Sequence, residues 1–160
     1  MAASEPRTIG FSVNGQPVTC TVEARRSLLD CLREDIGLHG THVGCEHGVC
    51  GCCNVMVGGE VVRSCLMLAW QAEGTEVVTI EGIESPQGLS PIQEAFCTYH
   101  GLQCGYCTPG MIITLEALLR DNPNPTDEEL VDALSGNLCR CTGYQQIIMA
   151  AKSAIAQLNA

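Results

Sequence analysis

The chain has 160 residues, a formal net charge of −10 and 12 cysteines, with 46% of its residues apolar and 16% charged. That acidity argues against nucleic acid and anionic membrane as partners, and the apolar content argues against disorder. No run approaches the roughly 18 apolar residues of a membrane span. The first residues, Met1-Ala2-Ala3-Ser4-Glu5-Pro6-Arg7, lack the apolar core of a signal peptide. A cytoplasmic setting is therefore expected, where clustered cysteines are metal ligands rather than disulfides.

Taken in order, residues 8–14 place Ile9, Phe11 and Val13 on one face of a strand. Asn14-Gly15 then signals a hairpin, because a type I′ turn needs positive φ at both central positions. Residues 17–23 return as a strand with Val18, Cys20 and Val22 on one face. Ser27 suits the N-cap of a helix to about Ile36 that buries Leu28, Leu29, Leu32 and Ile36 and ends at Gly37 and Gly40. Residues 40–53 form a cysteine loop, where Gly44, Gly48 and Gly51 let the backbone curl around a metal–sulfur core. Strands 54–57 and 60–63 pair across Gly58-Gly59 and deliver Cys65, and 76–80 is a last strand.

Gly82 to Ser90 reads as a linker. Ser90-Pro91 opens a helix to about His100, and Thr108-Pro109 opens another to about Asp121 that carries Met111, Ile112, Leu115, Leu118 and Leu119. Thr126 and Glu129 form a capping box for a third helix with Leu130, Val131 and Leu134 inside and Gly136 past its end. A fourth follows Gly143, with Ile148, Ala151, Ile155 and Leu158 on one stripe. The expected fold is α+β: a β-grasp ferredoxin-like domain over residues 1–81, a linker over 82–89 and a helical-bundle domain over 90–160. Domains this small commonly need a metal cluster to supplement the core.

Two groups of four cysteines dominate the chemistry. Cys45-x4-Cys50-x2-Cys53, closed by Cys65 after 11 more residues, is the spacing of a plant-type [2Fe–2S] ferredoxin. Zinc is the rival for four thiolates, but its structural sites pair two short knuckles, and here the second pair is split. The spacing selects Cys53 over its neighbour Cys52, which reads as an unligated thiol. Cys45-Glu46-His47 also begins like a Rieske motif, but Leu68 stands where the second histidine is needed. The second group, Cys104-x2-Cys107 with Cys139-x-Cys141, suits zinc or a cluster equally well on spacing alone; its pairing with the first group favours a cluster. Cys20 and Cys31 read as core residues.

Three segments carry a resemblance: Gly44-Cys45-x4-Cys50-Gly51-x-Cys53, Gln103-Cys104-Gly105-Tyr106-Cys107-Thr108-Pro109-Gly110-Met111 and Gly136-Asn137-Leu138-Cys139-Arg140-Cys141-Thr142-Gly143-Tyr144. They resemble the iron–sulfur small subunit of the molybdenum hydroxylases, the family of xanthine dehydrogenase, aldehyde oxidoreductase and aerobic carbon monoxide dehydrogenase. The segment from His100 to Cys107 is most like the three-subunit type.

The resemblance implies an outer [2Fe–2S] cluster on Cys45, Cys50, Cys53 and Cys65 and an inner one on Cys104, Cys107, Cys139 and Cys141. It also implies a large partner subunit with a molybdopterin-type cofactor that Gln103 and Cys141 approach, a medium FAD subunit, and a dimer of heterotrimers. The chain would relay single electrons and turn over no substrate itself, so no catalytic residue is expected. The competing readings are a free-standing two-cluster ferredoxin and a non-redox zinc module that only binds partners.

Overall fold

The computed structural model describes residues 5–84 and 88–159. Residues 85–87 of the expected linker lie outside the described residues, as do residues 1–4, on which the signal-peptide reading falls. The first half is a five-stranded sheet in the order β2-β1-β5-β3-β4. Its strands are β1 (Arg7–Val13), β2 (Gln16–Val22), β3 (Asn54–Val57), β4 (Glu60–Arg63) and β5 (Glu76–Val78). β1 and β5 run parallel at its centre, flanked by antiparallel pairs. This is the β-grasp arrangement. Asn14 (φ 51°) and Gly15 (φ 75°) make the expected left-handed turn.

Ile9, Phe11, Val13 and Val22 face Leu28 and Leu32 across the core of the sheet half. The helix is α1, Leu28–Asp30, capped by the Ser27 hydroxyl, which accepts from the Asp30 amide. Instead of staying α-helical to Ile36, it widens into a π-helical turn over Cys31–Asp35, with the Ile36 amide donating to the Cys31 carbonyl. β5 ends two residues earlier than its sequence suggests, because the Thr79 amide donates to the Asn14 side chain rather than to a strand.

Four helices form the second half: α2 (Pro91–Thr98), α3 (Thr108–Asp121), α4 (Asp127–Ser135) and α5 (Gln145–Leu158). The Thr126 capping box is present. Two expected apolar faces are displaced. Val131 is 51% exposed, since Leu130 and Leu134 one turn apart already fill the inward stripe of α4. On α5 the buried residues are Ile147, Ala150, Ala151 and Ala154, while Ile148 and Ile155 are partly buried and Leu158 is exposed. The small alanines let α5 lie close against α2, and they carry little weight in a pattern read from large side chains.

α3 is buried on two faces. Met111, Ile112, Leu115 and Leu119 belong to the helical core, whereas Ile113 and Ala117 are also buried, on a helix that packs against β3 and β4 as well. At its first turn a Cβ added to Gly110 would lie 2.1 Å from the Gly51 carbonyl oxygen and 3.0 Å from its carbon. Gly110→Ala must therefore push the two halves apart, at a cost of about 1–3 kcal/mol or more. Thermal unfolding should show a clear loss of stability, whereas Gly10→Ala, whose Cβ would meet nothing closer than 3.9 Å, should change little.

Candidate metal centres

The eight expected ligands resolve into four pairs of neighbouring thiols. In the outer loop Cys45 interacts with Cys50, which also interacts with Cys52, and Cys53 interacts with Cys65. In the helical half Cys104 and Cys141 stand with their sulfurs 3.5 Å apart, and Cys107 contacts Cys139. A [2Fe–2S] cluster takes two thiolates on each of its two irons, and neighbouring pairs of thiols suit that demand.

Local chemistry divides the ligand thiols: Cys45 and Cys139 are held down, whereas Cys65, Cys107 and Cys141 are pushed up. The amide of Cys50 donates to Cys45 Sγ at 3.4 Å. The amides of Cys50 and then His47 hold the Cys45 thiol down to about 6. At Cys139, burial pushes the thiol up, but hydrogen bonds from the Thr142 hydroxyl and from backbone amides outweigh it and leave the thiol below its ordinary value. Burial, then the contact with Cys139, pushes Cys107 up to about 12. Burial, then Cys53, pushes Cys65 up to about 11. Thr41 and Thr108, each in one of the cysteine loops, carry buried hydroxyl oxygens with no hydrogen-bond partner among the described residues. The sulfides of a [2Fe–2S] core are acceptors of the kind such hydroxyls lack.

Backbone and side-chain bonds lock the two loops together. The Leu138 amide donates to the Cys50 carbonyl at 2.9 Å, and Asn137 Nδ2 to the Gly51 carbonyl at 3.3 Å. Arg63 Nη2 donates to the Gly136 carbonyl, and Asn54 Nδ2 to Thr114 Oγ1. His42 stacks on Tyr106 at 4.7 Å; its Nδ1 lies 2.8 Å from the Tyr106 carbonyl, and the Tyr106 hydroxyl donates to the Val43 carbonyl. None of these bonds is visible in cysteine spacing, because each joins residues at least 60 positions apart in sequence.

Cys52 lies between the two groups. It belongs to the helical core with Cys107, and burial, then contact with Cys50, pushes its thiol up to about 12. Cys20 and Cys31 meet at 3.4 Å between β2 and α1. Gln103, Cys104, Tyr106 and Cys141 are exposed on one end of the helical half. A cavity of about 500 Å³ is walled by Arg25, Arg26, Asp30 and Asp35 among others and includes none of the eight cysteines; Arg26 is already bonded to Asp35.

With this geometry in hand, the comparisons identify the class. Residues 11–79 match a 2Fe-2S iron-sulfur cluster binding domain, and residues 79–152 match a second [2Fe-2S] binding domain. The nicotine 6-hydroxylase small subunit of Paenarthrobacter nicotinovorans is 51% identical over 94% of this chain and 91% of its own. The nicotinate dehydrogenase small FeS subunit of Eubacterium barkeri is 47% identical over 92% and 94%. Quinoline 2-oxidoreductase from Pseudomonas putida 86 has a chain that superposes with a TM-score of 0.92 at 46% identity, covering 96% of both. The chain belongs to the family of [2Fe–2S] small subunits of the molybdenum hydroxylases and dehydrogenases.

The thiol chemistry has a direct check. In protein prepared without iron, the Cys45 thiolate should be present above about pH 6 and lost below it, because its pKa is depressed. Alkylation followed by mass spectrometry should find half-maximal Cys45 labelling near that pH, with Cys52 and Cys107 unlabelled.

Proposed function

We propose that this chain carries single electrons from a molybdenum subunit to FAD or another acceptor, through an outer cluster on Cys45, Cys50, Cys53 and Cys65 and an inner one on Cys104, Cys107, Cys139 and Cys141. The observation that carries the reading is the pairing of the eight thiols on two loops joined by the Leu138–Cys50 backbone bond. The pairing supports Cys45 with Cys50 on one outer iron and Cys53 with Cys65 on the other. At the inner cluster it supports Cys104 with Cys141 and Cys107 with Cys139.

When bound, each [2Fe–2S] cluster supplies a one-electron redox couple. The chain's own part is to bring the eight thiols together in pairs, to place amide and hydroxyl donors at the Cys45 and Cys139 sulfurs, and to fix the distance between the two loops. The Leu138 amide adjoins inner ligand Cys139, and its acceptor is the carbonyl of outer ligand Cys50. One hydrogen bond thus bridges the two ligand segments.

The exposure of Cys104, Cys141 and Gln103 supports a partner surface there, with Gln103 and the Cys141 sulfur toward the pterin. The names of the related small subunits support partner subunits, which we take to be a large molybdenum subunit and a medium FAD subunit, assembled as a dimer of heterotrimers in the cytoplasm. No described helix is long and apolar enough to cross a membrane. The separate hydrophobic clusters support a division into residues 1–81 and 90–160 joined by 82–89.

Cys139→Ser in the assembled enzyme should abolish the inner-cluster signal and reduce turnover at least tenfold; normal turnover would contradict the relay. Cys52→Ala should leave both cluster signals intact by visible and EPR spectroscopy, and loss of the outer signal would show that Cys52 rather than Cys53 is the ligand.

A further inference from the structure

The segment 137–144 folds back on Cys139 through a closed set of hydrogen bonds. The Cys139 amide donates to the Tyr144 hydroxyl at 2.9 Å, and that hydroxyl donates to the Asn137 carbonyl at 2.8 Å. Tyr144 adopts a left-handed backbone, φ 70°, and its amide donates to Thr142 Oγ1 at 3.1 Å. Thr142 Oγ1 in turn lies 3.1 Å from Cys139 Sγ.

This geometry fixes the direction of the last bond. The Thr142 oxygen already accepts a hydrogen bond from the Tyr144 amide, so its own O–H is free to point at the sulfur. An iron-bound thiolate has no proton to give, so Thr142 is the donor. Accepting the Tyr144 amide also polarises the hydroxyl and strengthens its donation. Among the described residues no hydroxyl hydrogen-bonds to the sulfur of Cys45, Cys50, Cys53 or Cys65, the Ser64 hydroxyl reaching only the Cys53 carbonyl; at Cys45 Sγ the donors are backbone amides, with Cys50 donating at 3.4 Å.

We propose that Thr142 is a positioning residue that sets the reduction potential of the inner cluster through an O–H···S bond to Cys139. A donor on a ligand sulfur draws off charge and favours the reduced, more negative state, which raises the potential. Tyr144 holds the donor in line. The proposal rests on the ligand assignment above, and it adds to that assignment a side chain that distinguishes the inner cluster from the outer.

The test is an EPR-monitored redox titration of the whole complex carrying Thr142→Val, Thr142→Ala or Thr142→Ser. The inner signal is identified as the one that Cys139→Ser removes. Valine and alanine should lower the inner midpoint, raising the oxidised-to-reduced ratio at a fixed potential about tenfold, which for one electron is about 59 mV. Serine, which keeps the hydroxyl, should stay close to wild type, and the outer midpoint should not move in any variant. An unchanged inner midpoint in both valine and alanine variants overturns the proposal, as does an equal shift of the outer cluster. Loss of the inner signal in both would make the hydroxyl a requirement for assembly and would also overturn it. A wild-type complex without two [2Fe–2S] signals fails at the earlier step and overturns the ligand assignment itself.

Discussion

The structure depends on one close approach, that of the outer cysteine loop to the start of α3. Gly51 and Gly110 stand so near that a Cβ on Gly110 would lie within 2.1 Å of a carbonyl oxygen. Beside that contact, the carbonyls of Cys50 and Gly51 find their donors in the other half of the chain, at the Leu138 amide and the Asn137 side chain. Two small domains could meet in many ways. If the halves shifted, the Cys50 carbonyl would lose its partner and the Gly51 carbonyl would keep only the Asn54 amide, and a buried carbonyl left unpaired costs about 1–3 kcal/mol. The seam thereby fixes how far apart the two sets of thiols lie, and electron transfer requires that separation to be short and constant.

A second constraint is charge. The chain is acidic, and two thiolate-bound clusters add further negative charge. The response is local. Amides surround Cys45, a hydroxyl and amides serve Cys139, and the Arg63 guanidinium spans both halves, donating to carbonyls of Gly48 and Gly136. Donors placed on the sulfurs act at the atoms whose charge changes on reduction, whereas distant cations are screened by solvent.

Much of this was legible in the sequence because the chemistry imposes local patterns. The Asn14-Gly15 turn, the Thr126 capping box and the cysteine spacings each encode their geometry within a few residues, and the comparisons place the chain in the family those spacings resemble. Periodicity was a poorer guide where packing departs from one large-residue face per helix. α3 is buried on two sides, so Ile113 and Ala117 were passed over. The core face of α5 is mostly alanine: of the expected stripe Ala151 is buried, Ile148 and Ile155 pack at the edge of the core and only Leu158 is exposed, while Ile147, Ala150 and Ala154 complete the buried face. The bonds across the seam join residues distant in sequence, and no local pattern reports them. Thr142 is legible only as part of a motif; the fold-back of residues 139–142 that brings its hydroxyl within 3.1 Å of Cys139 Sγ is not encoded in the cysteine spacing.

The central claim is that the eight paired thiols hold two one-electron centres. Low-temperature EPR with spin counting on the dithionite-reduced protein, isolated with its partner subunits, tests this most directly. Two distinct [2Fe–2S] signals, each close to one spin per chain, are the predicted result. A protein without such signals, colourless and carrying zinc by metal analysis, would contradict the account.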